Sequence, residues 1–334
     1  MSATVPAVPR GTEPAAGRTA GRTAATAADS AVPRRLSTAE LSSGYGRRTV
    51  VDGVDLAVPT GRITVIVGAN ACGKSTLLKT MARILAPSSG AVLLDGEPVG
   101  SIPTRRLATR LGLLAQQPVA PEGIAVSDLV GRGRHPHQGA FRSWTAEDRR
   151  VVEEALVATG TATLADRAVD ELSGGQRQRV WIAMALAQRT DVLLLDEPTT
   201  FLDLAHQVEV LDLLTDLNRD RGTTIVMVLH DINLAARYAD HVVAMKAGRV
   251  VAAGPPAEVV DPTLVREVFG LEAEVITDPV SGTPLIVPRG RYHDAAGRGG
   301  RPARTRDRGG ADSPAVAPPG RGRDAEPGGS QERS

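Results

Sequence analysis

The chain has 334 residues, 42% hydrophobic and 23% charged, long enough to bury one substantial core or two modest ones. Cys72 is its sole cysteine, which excludes an intramolecular disulfide framework and fits a reducing compartment. No apolar run approaches the roughly 20 residues that cross a bilayer, and "MSATVPAVPRGTEPAAGRTA" at the start lacks the apolar stretch of a secretory signal. Any membrane role is therefore expected to come through a partner.

The net charge of +1 is unevenly spread. Residues 1–35 carry five Arg against Glu13 and Asp29, and residues 289–334 carry ten Arg against six acids, which leaves −6 on the stretch between them. Both ends are rich in Ala, Gly, Pro, Arg, Ser and Thr and poor in apolar side chains that would repay the entropy of ordering. Disordered tails are expected over 1–35 and 289–334. The stretch "GRGGRPARTRDRGG" has arginine without interleaved aromatics, so no nucleic-acid partner is expected.

In chain order, "RITVIVG" (62–68) reads as a short buried strand ending in glycine, and "KSTLLKTMARIL" (74–85) has apolar residues at helical spacing. "AVLLDG" and "LGLLAQ" are further strands. From Val126 to Gly160 the pattern turns largely helical, without strand-like runs, and suggests a helical insertion. "DVLLLDEP", "TTIVMVLHD" and "HVVAMKAGRVV" resume the strands, and "EAEVITDPVSGTPLIVP" reads as a hairpin around "DPVSG". Strands alternating with helices predict a parallel sheet covered by helices, the α/β class.

"GANACGKS" (68–75) fits G-x-x-x-x-G-K-[ST] and stands after a strand and before a helix, where that pattern has physical meaning. Gly68, Asn70, Ala71, Cys72, Gly73 and Thr76 belong to a cradle of backbone N–H groups backed by a helix N-terminus. Lys74 is expected to reach the β- and γ-phosphates of a nucleotide, and Ser75 to give its hydroxyl to Mg2+. The Cys72 thiol is filler, because the backbone does the binding. "VLLLDEP" (192–198) ends a buried strand in two carboxylates: Asp196 suits the metal, and Glu197 suits the orientation and deprotonation of an attacking water. His230 follows its strand in the same way and is placed to donate to a γ-phosphate oxygen. His135 and His137, two histidines across one proline, lack further ligands nearby and are read as solvated.

"LSGGQ" opens another helix, with Ser173 as its N-cap. It forms a second anion site in a chain whose first already holds the triphosphate. Ser173 and Gly175 are therefore expected to grip the γ-phosphate bound to a second copy of the chain, in a two-fold dimer with two ATP molecules in the seam.

The order "GANACGKS", "LLAQ", "LSGGQ", "VLLLDEP", "FLD" and "LHD" resembles an ABC-type ATPase over roughly residues 36–260. The resemblance implies a P-loop NTPase fold with a RecA-like core, an antiparallel β subdomain and a helical subdomain. On that pattern the ATPase domain covers 36–270, with the helical subdomain at about 117–190 and a small hairpin at 271–288. It further implies Gln116 as the Q-loop glutamine, serving catalysis and Mg2+, with the adjacent Gln117 as the alternative. Asp203 matches the D-loop aspartate, Tyr45 the aromatic that stacks on adenine, and His230 the switch histidine. Many members have Pro at the position of Ala69 and Gly at that of Ala71, and alanine pays more than glycine for unusual dihedrals.

Stretches such as "DEPTTFLDLAHQVEVLDLL" and "VMVLHDINLAARYADHVVAMKAGRVVAAGPP" resemble the ATP-binding subunits of iron-siderophore importers, the group that also serves haem and vitamin B12. That resemblance implies a peripheral subunit on the cytoplasmic face of the membrane. Its partners would be an integral-membrane permease and, indirectly, an extracytoplasmic substrate-binding protein. A soluble ATPase of cluster assembly is the reading from another class.

Overall fold

The computed structural model describes residues 36–116, 118–138, 144–200 and 202–290. The expected N-terminal tail, the C-terminal one beyond residue 290, Gln117 and Phe201 of "FLD" lie outside them.

The chain begins with the hairpin β1 (Leu36–Tyr45) and β2 (Arg48–Val58), then runs through β3 (Ile63–Gly68) into helix α1 (Lys74–Met81), β4 (Ser89–Leu94) and the two-residue β5 (Glu97–Pro98). Helix α2 (Thr104–Ala108) leads to β6 (Leu111–Leu114). Between β6 and the next strand come α3 (Val126–Gly131), a 3-10 turn (Arg132–His137), α4 (Ala146–Ala158) and α5 (Gly174–Ala187). The chain continues through β7 (Val192–Asp196), α6 (Leu204–Arg221), β8 (Thr224–Val228), α7 (Ile232–Tyr238), β9 (His241–Lys246) and β10 (Arg249–Gly254). It closes with α8 (Pro256–Val259), α9 (Pro262–Phe269) and the hairpin β11 (Ala273–Thr277) and β12 (Pro284–Pro288).

Two main sheets result. One is antiparallel, in the order β2-β1-β4-β5; the other runs β10-β9-β3-β8-β7-β6 and is parallel except for β10 against β9. Every residue of β3, β7 and β8 is buried, which is why these strands are written as unbroken apolar runs. Alternate residues serve opposite faces. Val65, Val67, Leu193 and Leu195 join the helices of one core cluster, while Ile66, Val192 and Leu194 join the antiparallel sheet and α1 in the other.

"HVVAMKAGRVV", read as one strand, is two. Ala247 and Gly248 both take positive φ, 47° and 82°, and turn β9 back on β10. The turn is anchored: the Gly248 N–H donates to the Cys72 carbonyl at 2.8 Å, and the Asp52 N–H donates to the Gly248 carbonyl at 3.0 Å. A Cβ at Gly248 would stand 2.2 Å from the Val50 carbonyl oxygen, so glycine is required there for approach as well as for φ.

A buried ion pair fastens the helices between β6 and β7. Arg134 in the 3-10 turn donates from Nε to Asp148 Oδ1 at 3.0 Å and from Nη1 to the Ala187 carbonyl at the end of α5 at 2.9 Å. Asp148 also completes the capping box of α4 with Thr145. Burial by itself raises the Asp148 pKa, but the hydrogen bonds from Thr145 and Arg134 outweigh it and hold it at about 2. His137 is likewise structural, with its Nε2 at 2.6 Å from the Gln188 carbonyl.

The loop between β3 and α1 is tightly drawn. Ala71 sits at φ 60° and Gly73 at φ 109°, which turns the chain into α1 at Lys74. The alanine flagged by its departure from the family pattern therefore does occupy left-handed backbone, a conformation that costs an L-residue roughly 1–2 kcal/mol.

Two outcomes are expected. Asp148→Asn destabilises the protein by about 3 kcal/mol near neutral pH by breaking a buried pair. Because the native pKa is depressed, the wild-type advantage is full above the unfolded value of about 4 and fades as pH falls through about 2; a thermal-unfolding difference that persists undiminished at the acid end would contradict it. Ala71→Gly removes the backbone penalty but adds about 0.4–1 kcal/mol of unfolded-state entropy. Its net effect is a stabilisation of at most about 1.6 kcal/mol, seen as a small rise in Tm.

Candidate phosphate-binding and hydrolytic site

At the C-terminal edge of the parallel sheet lies a cleft of about 600 Å³, lined by the loop from Asn70 through Ala71, Cys72, Gly73, Lys74 and Ser75 to Thr76. Gln116, Glu197, His230 and Tyr45 line the same cleft. This is the place in an open parallel sheet where loops converge and ligands are held. Gly68 closes β3 beneath the loop, and a Cβ there would stand 2.4 Å from the Met245 carbonyl oxygen. Lys74 is buried, and its Nζ donates to the Gly68 carbonyl at 2.8 Å and the Ala69 carbonyl at 3.0 Å. The ammonium is thus held over its own loop, within the cleft. Cys72 is a buried free thiol whose carbonyl carries the Gly248 bond, consistent with a packing role. Tyr45, the last residue of β1, is 53% exposed, so its ring offers a free face.

The carboxylates follow from strand order. β6, β7 and β8 are neighbours and parallel, with Leu114 paired to Leu195 and Asp196 paired to Val228. Gln116 and Glu197 stand two residues past the paired Leu114 and Leu195, and His230 stands two past Val228, one place further along than Glu197 is past its partner Asp196; all three leave neighbouring strand ends and meet at one carboxylate. Gln116 Nε2 donates to Glu197 Oε2 at 2.5 Å, and His230 Nε2 lies 2.6 Å from Glu197 Oε1. Glu197 is buried, whereas the His230 side chain is about half exposed. Glu197 itself takes left-handed backbone, φ 55°, a strained setting for a non-glycine residue that turns the carboxylate out of the strand direction.

Asp196 is 2% exposed. Ser75 Oγ donates to its Oδ1 at 2.8 Å, while Oδ2 is buried without a hydrogen-bond partner. Burial pushes its pKa up against the pull of the Ser75 bond and the Lys79 and Lys74 charges. A buried, unsatisfied carboxylate oxygen beside a serine hydroxyl is a hard oxygen pair suited to a small divalent cation whose other ligands come from phosphate and water.

Ser173, Gly175 and Asp203 do not line this cleft. Ser173 is the N-cap of α5, as its sequence position predicts, in a capping box with Gln176. The residues from Ser173 to Gly174 are exposed, and a Cβ on Gly175 would lie 3.6 Å from Leu202, so the serine turn abuts the segment that carries Asp203. Asp203 caps α6, accepting from the His206 N–H at 2.9 Å with His206 Nδ1 at 2.7 Å. The backbone and side-chain bonds from His206 lower its pKa. The exposed serine turn presents unpaired helix donors to whatever faces it.

Two further residues belong to the site without having been singled out by motif. Thr200 Oγ1 donates to Glu197 Oε2 at 3.0 Å, and Gln178 on α5 donates from Nε2 to the Pro198 carbonyl at 2.8 Å. Thr200 stands three residues after Glu197 in the same loop, which is a readable signal. Gln178 reaches across from another element, and nothing local announces it. Arg48 and Val50 also line the cleft.

The family described as ABC transporter matches residues 51–200. The probable siderophore transport system ATP-binding protein YusV of Bacillus subtilis is 54% identical over 256 residues, 77% of this chain and 93% of that protein. The ferric enterobactin transport ATP-binding protein FepC of Escherichia coli is 51% identical over 257 residues, 77% of this chain and 95% of that protein. Among solved structures, an inward-facing putative metal-chelate type ABC transporter superposes with a TM-score of 0.67 at 28% identity, covering 78% of this chain and 99% of that one. The dimeric cassette MJ0796 in a post-hydrolysis state with ADP and Pi superposes at 0.59 with 27% identity, covering 66% and 98%. With about half of the aligned residues identical across almost the full length of such relatives, the chain belongs to the ABC transporter ATP-binding family, ATPases whose hydrolysis is coupled to transport.

Proposed function

We propose that this chain is the ATP-hydrolysing subunit of an importer of iron-siderophore complexes, working as a pair on the cytoplasmic side of a membrane permease. No described helix is long and apolar enough to cross a membrane, so the permease supplies the span. A substrate-binding protein outside would deliver the chelate. The cargo rests on relatives of 50–54% identity that carry siderophore, ferric enterobactin and iron-hydroxamate transport in their names.

The observation that carries the hydrolytic reading is the buried Glu197 carboxylate, gathered by Gln116, His230 and Thr200 beside the phosphate loop. The loop from Asn70 to Thr76 would receive the phosphates through its N–H groups, Lys74 would swing from its own carbonyls to the β- and γ-phosphates, and Tyr45 would stack on adenine. Ser75, Asp196 and Gln116 would hold Mg2+, which supplies neutralisation of charge on the β- and γ-oxygens. Glu197 then accepts the proton of the attacking water as the water oxygen bonds to the γ-phosphorus and the bond to the β-bridging oxygen breaks. His230 donates to a γ-phosphate oxygen. Ser173 and Gly175 of a second copy would close on that phosphate, and Asp203 would lie along the same seam.

Glu197→Gln is expected to lower turnover by about 10²–10⁴ while leaving ATP binding intact and accumulating a nucleotide-bound dimer; near wild-type hydrolysis would overturn the role given to the carboxylate. Ser173→Asp keeps an N-cap of equal quality but sets a negative charge against the partner's phosphate. Hydrolysis is expected to collapse while a single subunit binds ATP as before, measured by equilibrium titration at low protein concentration; a parallel loss of binding would speak against a contact between copies. Cells lacking the subunit are expected to stop accumulating radiolabelled ferric siderophore, and retained uptake across that class with loss of another cargo would redirect the assignment.

A further inference from the structure

The C-terminal hairpin contributes no residue to the cleft, yet it is fastened to the helix that begins two residues after His230. That helix, α7, has only seven residues, too short to hold itself in place. Leu234 and Ala235 pack it on the main core and the Tyr238 hydroxyl donates to Asp212 at 2.9 Å; the C-terminal segment engages it at three further points. At its first residue, Ile232 packs on the small core of Val260, Val265, Ala273 and Ile286. At its second, Asn233 pairs with β12 as a strand would: Nδ2 donates to the Ile286 carbonyl at 3.2 Å, and Oδ1 accepts from the Ile286 N–H at 2.7 Å. Near its end, Arg237 donates from Nε at 3.2 Å and Nη2 at 2.5 Å to Asp278 Oδ2.

Asp278 is a rigid anchor. It is buried, and its carboxylate accepts from the Val280 N–H and the Ser281 hydroxyl, each at 2.9 Å, while its own N–H donates to the Thr283 carbonyl at 2.8 Å. Those bonds and the Arg237 charge hold its pKa far below the usual carboxylate range. The turn "DPVSG", read from sequence only as a hairpin, is thus built around the carboxylate that grips α7.

From this juxtaposition we infer that Asn233 and Asp278 are positioning residues for hydrolysis: through them the C-terminal hairpin fixes the place of α7 and so sets the His230 ring against Glu197. The inference rests on the hydrolytic reading of His230 and Glu197 given above. Asp231 transmits the constraint, since its carboxylate caps α7 by accepting from the Asn233 and Leu234 N–H groups at 2.7 and 3.1 Å. The ring precedes that cap by one residue, so a shift of α7 is a shift of His230. A misplacement near 1 Å at a reacting group costs up to about 10²-fold in rate.

The test compares Asn233→Ala, Asp278→Asn and the control Val280→Ala, at a hairpin position 86% exposed, in the full chain. Asn233→Ala and Asp278→Asn are expected to lower kcat by about 10-fold or more, with KM for ATP and the Kd of the isolated subunit unchanged. The imidazole nitrogen resonances of His230, followed by NMR, are expected to move in both variants and to stay in place in Val280→Ala. In a His230→Ala background, Asn233→Ala is expected to lower kcat no further, because both act through one ring.

Additive losses in the double variant, or unmoved His230 resonances with kcat retained, would reduce the hairpin to a structural element and overturn the inference. If His230→Ala itself leaves kcat unchanged, the hydrolytic reading of His230 fails, and the inference fails with it. If His230→Ala abolishes turnover while Asn233→Ala does not lower it, only the inference fails.

Discussion

Three parallel strands ending side by side impose the geometry on which the rest depends. Because β6, β7 and β8 are hydrogen-bonded parallel neighbours, the segments that leave their C-terminal ends lie side by side, and there an amide, a carboxylate and an imidazole meet within 2.6 Å. The strands are buried on both faces, so their register is held by packing on two core clusters at once. The left-handed backbone at Glu197 is the local cost of that placement, and Gln178 and Thr200 hold the loop that bears it.

The phosphate loop is secured by the same logic from the other side. Its carbonyl at Cys72 is tied to Gly248 in the β9–β10 turn, which is tied in turn to β2 at Asp52. Loop, sheet edge and antiparallel layer are therefore joined through one glycine's backbone. Lys74 and Ser75 are both engaged with protein atoms, Lys74 with its own loop and Ser75 with Asp196. On the proposed reading, nucleotide binding would exchange those bonds for phosphate and metal, a swap of like for like that costs little reorganisation.

Much of this was legible in the sequence because it is local. The glycine-lysine-serine run after an apolar strand, the two carboxylates at the end of "VLLLDEP" and the capped start of "SGGQ" each bring their mechanism within a few residues. The left-handed backbone at Ala71 was signalled only through the family resemblance, in which many members carry Gly at that position. What escaped is long-range. Gln178 meets Pro198, and Asn233 meets Ile286 across 53 positions, through contacts that only the folded chain creates. The run "HVVAMKAGRVV" misled because its apolar residues continue across the turn, where only Gly248 and the approach of Val50 reveal the break.

On the proposed reading the cleft is half a site. Ser173 and Gly175 do not line it, and the serine turn looks outward with helix donors to spare. Mixing two inactive subunits tests this most directly, one carrying Glu197→Gln and the other Ser173→Asp. If each hydrolytic centre is shared, the mixed pair contains one centre with both native residues, and ATPase activity reappears on mixing. Activity that stays at the level of either variant alone, with mixed pairs shown to form, would mean that one copy completes its own site and would contradict the account.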